Sequence, residues 1–266
     1  MIPKIIHYCW FGGQPQSALM ISCLRSWKEY LSDFQIIEWN ETNCNFDIPY
    51  AKAAYAAKKW AFVADYTRLK VLHEMGGVYL DTDMLIVKPL DTFLSHRFFI
   101  GCEKSTVVSM GIIGCLPSHP LIQQFLTYYE QQVFDIQHPI VITRLMTDFL
   151  MAAGFVKCHS ILTIQDLTIY PSNYFYPFPF PPYGTYHAHL KPETYAVHLW
   201  AGSWLSEWEY FKIGNPTAAL IIVREQLRHQ EHRNWGYRKK LILFLCCTPF
   251  WMIKAILRRL LQNFRQ

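Results

Sequence analysis

Two aspartates separated by one residue, Asp81-Thr82-Asp83, close the run Gly76-Gly77-Val78-Tyr79-Leu80. Side chains alternate along an extended segment, so Tyr79, Asp81 and Asp83 are expected on one side while Val78 and Leu80 point into the sheet. Carboxylates held this close repel unless a positive charge lies between them, and hard oxygen ligands suit Mn²⁺ or Mg²⁺ better than zinc. A divalent cation held there could clamp a diphosphate. Alone, such a tripeptide is more often a solvated acidic turn. Just upstream, Asp65 and Arg68 stand three apart and share a face of the expected helix. Arg can grip a phosphate or a sugar hydroxyl and Asp can accept from hydroxyls, although such a pair alone is commonly a surface ion pair.

These side chains need a scaffold, and the apolar pattern supplies one. Ile5 to Phe11 is a continuous apolar run closed by Gly12-Gly13, which reads as a buried first strand and a turn. Ser22 to Tyr30 follows with Leu24, Trp27 and Leu31 at helical spacing, and Phe34 to Trp39 reads as a second strand, giving a βαβ opening. From Ala61 to Met75, Phe62, Tyr66, Leu69, Leu72 and Met75 recur every three or four positions, and Gly76-Gly77 supplies a helix stop. Val78 to Val87 reads as a strand pair carrying the acidic motif. Further helices are expected over 120–132 and 143–153, and Pro171 to Pro182, crowded with Pro, Tyr and Phe, reads as a loop packed over the core. The fold class is α/β.

With 266 residues, 52% hydrophobic and 17% charged, the chain can bury a sizeable core, most simply as one domain with an appendage. Residues 1–215 are expected to form the main domain and 216–266 a helical extension. Between Arg238 and Gln266 there are seven Lys/Arg and no Asp/Glu, so the net charge of +5 lies in the tail and the body is slightly acidic. That distribution argues against nucleic acid and for an anionic membrane surface. Leu241 to Ile253 is uncharged but short of the ~20 apolar residues a span needs, so an interfacial amphipathic anchor is expected, with a terminal helix docked on the body as the other reading. The eight cysteines show no two-residue spacing and read as reduced thiols. The N-terminus runs straight into the first strand without a long apolar signal region, which favours the cytoplasmic side, peripheral on the inner face of the membrane.

Four segments in order carry a family resemblance: Pro3 to Trp10, Ala61 to Arg68, Gly76 to Asp83, and His198-Leu199-Trp200-Ala201-Gly202-Ser203-Trp204. Over about residues 1 to 210 the chain resembles glycosyltransferase family 32, which includes bacterial capsular and O-antigen polysaccharide transferases and a yeast α-1,6-mannosyltransferase. The resemblance implies a GT-A-type fold with a mixed central sheet, a nucleotide-sugar donor, Mn²⁺ or Mg²⁺, and retention of anomeric configuration. It implies that Trp10 stacks on the donor base, with His7 shaping that pocket. Asp65 and Arg68 would hold the transferred sugar, and Tyr79 and Asp81 would lie near ribose and metal. Asp81, Asp83 and His198 would be the metal ligands, and Ser203 and Trp204 would contact the leaving phosphate. For His198 a satisfied core histidine is the other reading.

A UDP-hexose or UDP-N-acetylhexosamine is the first expectation for the donor and GDP-mannose the second, with a glycan acceptor linked to a polyprenyl diphosphate. Where family members often carry a polar residue, this chain reads Ser109-Met110-Gly111-Ile112-Ile113-Gly114. Glu103 could act near the acceptor or be a solvated side chain. Two other functions compete. A metal-dependent hydrolase or phosphotransferase would want a Gly-rich Lys-Ser/Thr loop or a second His/Asp cluster, and the sequence has neither. An inactive membrane-associated binder of the same fold would have no need of both Asp81 and Asp83.

Overall fold

The computed structural model describes residues 1–180 and 185–201, with Met1–Ala201 forming one compact unit. The strands are β1 (Ile5–Cys9), β2 (Gln35–Trp39), β3 (Gly77–Leu80), β4 (Met84–Ile86), β5 (Phe98–Lys104), β6 (Val107–Cys115), β7 (Leu162–Ile164), β8 (Leu167–Tyr170) and β9 (Ala196–His198). The helices are α1 (Ala18–Tyr30), α2 (Pro49–Ala56), α3 (Trp60–Met75), α4 (Pro120–Glu130), α5 (Ile142–Ala152) and the single turn α6 (Ser172–Phe175). Seven strands form one mixed sheet in the order β2-β1-β3-β6-β5-β8-β7, and β4 pairs with β9 in a separate two-stranded ladder. The chain is thus α/β with a mixed central sheet, as the pattern predicts.

Two apolar layers cover the sheet. On one side α2, α3, α4 and α5 contribute Tyr50, Val63, Leu69, Leu72, Ile122, Phe125, Tyr129 and Met146 to a core that includes Tyr79 and Ile113. On the other, Met20, Cys23 and Trp27 of α1 pack with Val78, Leu80, Met84, Phe93, Phe175 and Tyr176. Helix α3 is the central element: Val63 to Leu69 and Val71-Leu72 are all buried, and it packs against β1 and β3. It stops at Gly76, whose φ of 64° is open to glycine, and a Cβ on Gly77 would stand 2.7 Å from the Ile5 carbonyl oxygen. Only this glycine pair lets α3 turn so tightly into β3, which sets Arg68 beside the residues that follow β3.

The expected strand pair over 78–87 is corrected. β3 ends at Leu80, and Met84 N–H donates to the Asp81 carbonyl at 2.9 Å, closing a turn that passes the chain from the large sheet to the β4–β9 ladder. Helix α1 anchors β4, because Trp27 Nε1 donates to Met84 O at 2.7 Å and Ile86 N–H donates to Ser26 Oγ at 3.0 Å. Helix α2, which begins at Pro49, is an element the apolar spacing did not indicate. Segment 171–180 contains α6 but otherwise packs as expected, with Phe175, Tyr176 and Phe178 buried. The expected boundary at 215 and the basic extension lie outside the described residues.

Candidate active site

The parallel strands β2, β1 and β3 end on the same edge of the sheet, where open α/β folds place ligands. Trp39 is the last residue of β2, and Trp10 and Asp81 follow the ends of β1 and β3. The Asp81 N–H donates to Gly111 O at 2.8 Å, which docks the acidic turn on β6. Next to it the β5–β6 register slips: Ile100 pairs with Ile113, but Gly101 pairs with Ser109. The backbone groups of Met110, Gly111 and Ile112 that lose β5 partners are taken up locally, as buried polar groups must be. Met110 O accepts from Arg68 Nη1 at 2.7 Å, and Ile112 N–H donates to the Tyr176 hydroxyl at 2.9 Å.

Arg68 is buried and held on several sides. Its Nη2 lies 3.1 Å from Asp65 Oδ1 and 3.2 Å from Asp81 Oδ1, and the guanidinium sits 4.4 Å over the Tyr79 ring. The expected Asp65–Arg68 pair is therefore real and buried, and it extends to the acidic motif. Its Nε has no hydrogen-bond partner among the described residues. Burial pushes the Asp65 carboxyl up to about 7, with Arg68 opposing and Asp81 reinforcing the shift.

The ligand atoms of Asp81, Asp83 and His198 all lie within 4.8 Å of one another. Register brings His198 in, since Met84 pairs with His198 in the β4–β9 ladder. Its Nε2 donates to Asp83 Oδ1 at 3.0 Å, and Ala201 N–H donates to Asp83 Oδ2 at 2.8 Å. Trp200, at a left-handed φ of 54°, turns the chain so that this N–H reaches the carboxylate. Burial drives the Asp83 pKa up, but neighbouring His198 and Ala201 outweigh it and hold the carboxyl below its usual range. Burial drives the His198 pKa down, but Asp83 and then Asp81 and Glu103 outweigh it and the imidazole is raised. Asp81 is raised, by burial first and then by Asp83, against the pull of Arg68. A cation would reverse the shifts of Asp81 and His198 and deepen that of Asp83: two carboxylates and an imidazole suit a divalent ion, and His198 Nδ1 is buried without a hydrogen-bond partner among the described residues. A Cβ on Gly111 would stand 3.1 Å from Asp81 Oδ2 and 3.2 Å from the Tyr176 oxygen, so glycine keeps space open beside the carboxylate.

The remaining expected residues are placed as follows. Trp10 is half-buried at the end of β1, with Nε1 donating to Gln14 O at 2.8 Å. His7 is fully buried and both ring nitrogens are engaged: Nδ1 accepts from Trp39 Nε1 at 3.1 Å and Nε2 donates to Gly76 O at 2.8 Å. It can act on a pocket only by fixing Trp39 and the α3–β3 turn. Tyr79 is also buried, beneath Arg68, so the alternation reading is corrected: Tyr79 and Asp81 share the α3 side, whereas Asp83 faces His198 across the turn. Ser203 and Trp204 lie outside the described residues. Gly111, Tyr176 and the Ala201 N–H were not indicated by the spacing of polar residues, since their contribution is a missing side chain, a buried hydroxyl and a backbone group.

Sequence comparisons name the class. Residues 17–100 match the family described as "Glycosyltransferase sugar-binding region containing DXD motif", and residues 118–225 match "Alpha 1,4-glycosyltransferase conserved region". The chain is 26% identical over 184 residues to the Alpha-1,4-N-acetylglucosaminyltransferase of Homo sapiens, covering 65% of this chain and 50% of that protein. It is 26% identical over 150 residues to the Lactosylceramide 4-alpha-galactosyltransferase of Mus musculus, covering 52% and 40%. Among solved structures, the PaToxG glycosyltransferase aligns with a TM-score of 0.43 at 19% identity, over 57% of this chain and 70% of that one. By sequence relationship this chain is a glycosyltransferase homologue. It spans about half the length or less of those two curated relatives.

Proposed function

We propose that the protein is a metal-dependent, retaining glycosyltransferase of GT-A type that moves a hexose or N-acetylhexosamine from a UDP-sugar to a hydroxyl of a glycan, making an α-1,4 linkage. The observation that carries this reading is the convergence of Asp81, Asp83 and His198 within 4.8 Å beside a buried Asp65–Arg68 pair. The named activities of the two relatives support galactose or N-acetylglucosamine as the transferred sugar and the 1,4 position as the linkage. GDP-mannose is the second donor. The family-32 likeness supports a role in capsule or O-antigen assembly on a polyprenyl-diphosphate-linked acceptor. The basic extension would then hold the enzyme on the inner face of the membrane.

Asp81, Asp83 and His198 would hold Mn²⁺ or Mg²⁺, which when bound supplies positive charge for the departing diphosphate. Arg68, fixed by Asp65, Asp81 and Met110, offers the donor its Nε–H, which has no hydrogen-bond partner among the described residues, and Asp65 accepts from a sugar hydroxyl. Because these groups are already oriented, little reorganisation is needed as charge develops. Asp65 and Asp81 face the positive character that grows on the anomeric carbon, in the manner of the oxocarbenium-like state of glycoside hydrolysis. On this reading Trp10 stacks on the base; Ser203 and Trp204, the contacts to the leaving phosphate that the resemblance implies, lie outside the described residues.

The test is to incubate the purified protein with UDP-galactose, UDP-N-acetylglucosamine, UDP-glucose and GDP-mannose, with Mn²⁺ or with EDTA, and to measure nucleotide release. Release from one donor that is lost in EDTA is expected. No release from any of them, or release indifferent to EDTA, would refute the reading.

A further inference from the structure

The Trp10 ring is oriented by the loop that follows it. Its indole Nε1 donates to the Gln14 carbonyl, so the turn Phe11-Gly12-Gly13-Gln14 sets the plane of the indole. Gly12 and Gly13 take left-handed φ values of 88° and 61°, a path with few restraints of its own. Three contacts from other elements restrain it. Phe11 is buried edge-on against Phe46, with ring centroids 5.5 Å apart. Gly12 lies so close to Trp60, the first residue of α3, that a Cβ would stand 2.7 Å from the indole. Gly12 N–H also donates to Glu41 Oε1 at 2.6 Å, a charge-assisted bond of the stronger kind.

Glu41 stands on a rigid base. It follows β2 in a turn built on Asn40: Thr42 N–H and the Thr42 hydroxyl donate to Asn40 Oδ1 at 2.9 and 2.7 Å, and Asn40 N–H donates to Asn43 Oδ1 at 2.9 Å. Asn43 Nδ2 donates back to the Glu38 carbonyl at 2.8 Å. The Tyr55 hydroxyl of α2 donates to the same Glu41 Oε1 at 3.4 Å, and the Tyr55 ring packs on both Phe46 and Trp60. One carboxylate oxygen thus joins the loop after β1 to the turn after β2 and to α2. Glu41 is exposed and adds nothing to the core.

We infer that Glu41 is a positioning residue for the donor: by holding Gly12 N–H it fixes the loop that orients the Trp10 indole, so that a flat nucleobase meets a ring already in place. This rests on the glycosyltransferase reading, in which Trp10 stacks on the donor base. Fixing the loop in advance lowers the ordering cost of binding. The transfer step is left alone, since among the described residues no hydrogen bond or ion pair joins Glu41 to Asp65, Arg68 or the Asp81–Asp83–His198 cluster.

The experiment is calorimetric titration of UDP and of GDP, each with saturating Mn²⁺, into wild type, Glu41→Ala, Glu41→Gln, Trp10→Ala and the double variant Glu41→Ala/Trp10→Ala. Stacking of a base on an aromatic ring corresponds to about 5- to 100-fold in affinity, so Trp10→Ala should weaken the better-bound nucleotide by that factor. Glu41→Ala, which keeps the ring but frees its loop, should weaken it about three- to tenfold. Glu41→Gln, whose carbonyl oxygen still accepts from Gly12 N–H, should stay within about twofold of wild type. In the Trp10→Ala background the Glu41→Ala change should have an effect of less than about twofold, because a residue that acts through another loses its effect when that other is gone. A nucleotide-release assay of Glu41→Ala should show the same rise in donor KM with kcat within about twofold. Equal weakening by Glu41→Ala in both backgrounds, no weakening in the wild-type background, no weakening by Trp10→Ala, or a loss of kcat in place of the rise in KM would overturn the inference. A wild type that binds neither nucleotide would instead overturn the reading beneath it.

Discussion

Asp83 and His198 stand 115 positions apart in the chain and 3.0 Å apart in space. The imidazole and the Ala201 N–H take one carboxylate oxygen each, so the second aspartate of the motif is oriented entirely by the far end of the described chain. If these groups hold a cation, removing either should uncouple metal from fold. Mn²⁺ at 100 times its Kd adds about 2.7 kcal/mol to the stability of wild type, a shift of several degrees in Tm. His198→Ala and Asp83→Asn should lose most of that shift in a thermal melt titrated with Mn²⁺.

Arg68 neutralises two carboxylates at once. Arg68→Met keeps the length of the side chain but leaves Asp65 and Asp81 in a buried region without their cation. Breaking such a pair typically costs about 3–5 kcal/mol. Urea unfolding at neutral pH is expected to show a loss of that order, with Asp65→Asn in the same chain recovering part of it.

Asp65 also gives a pH dependence. Its carboxyl titrates near 7 when folded and near 3.8 when unfolded, so the folded state holds a proton that the unfolded state has released across that interval. Its contribution to stability is complete below about pH 4 and declines as pH rises to about 7. Asp65→Asn, neutral throughout, should therefore gain in Tm over wild type at pH 8, with the gain narrowing as pH falls and gone by about pH 4. A constant difference across that range would show that the shift is absent.

Gly111→Ala asks what the open space is for. The added methyl would press on Asp81 Oδ2 and on the Tyr176 hydroxyl, with backbone geometry that alanine can adopt. Stability should change by no more than ~1–3 kcal/mol, the usual range for overpacking. The Mn²⁺ concentration needed for half-maximal nucleotide release should rise about tenfold. If the metal requirement is unmoved, the space beside Asp81 serves packing alone.

The scaffold was largely legible in the residues. The period of Phe62, Tyr66, Leu69 and Leu72 marks α3, and Gly76-Gly77 marks its end because a Cβ cannot fit there. Asp65 and Arg68 three apart predicted their pairing. The error came at Asp83: alternation assumes one continuous strand, and the turn closed by Asp81 O and Met84 N–H breaks it. His198 could be named only by resemblance, since the β4–β9 pairing that delivers it is a long-range contact with no local signature. His7 and Tyr79 are polar residues near the site in sequence, yet burial turns both into supports for other groups. Tyr176 was hidden for the opposite reason, being one aromatic in a segment rich in them.

The ladder between β4 and β9 imposes an order of events during synthesis. Chains emerge from the ribosome N-terminus first, and domains tend to fold as they appear. All seven strands of the large sheet precede residue 171, whereas β9 begins at Ala196. A nascent chain halted between those points carries the finished platform with only the aspartates exposed on it. The meeting of Asp81, Asp83 and His198 is thereby postponed until the body has formed.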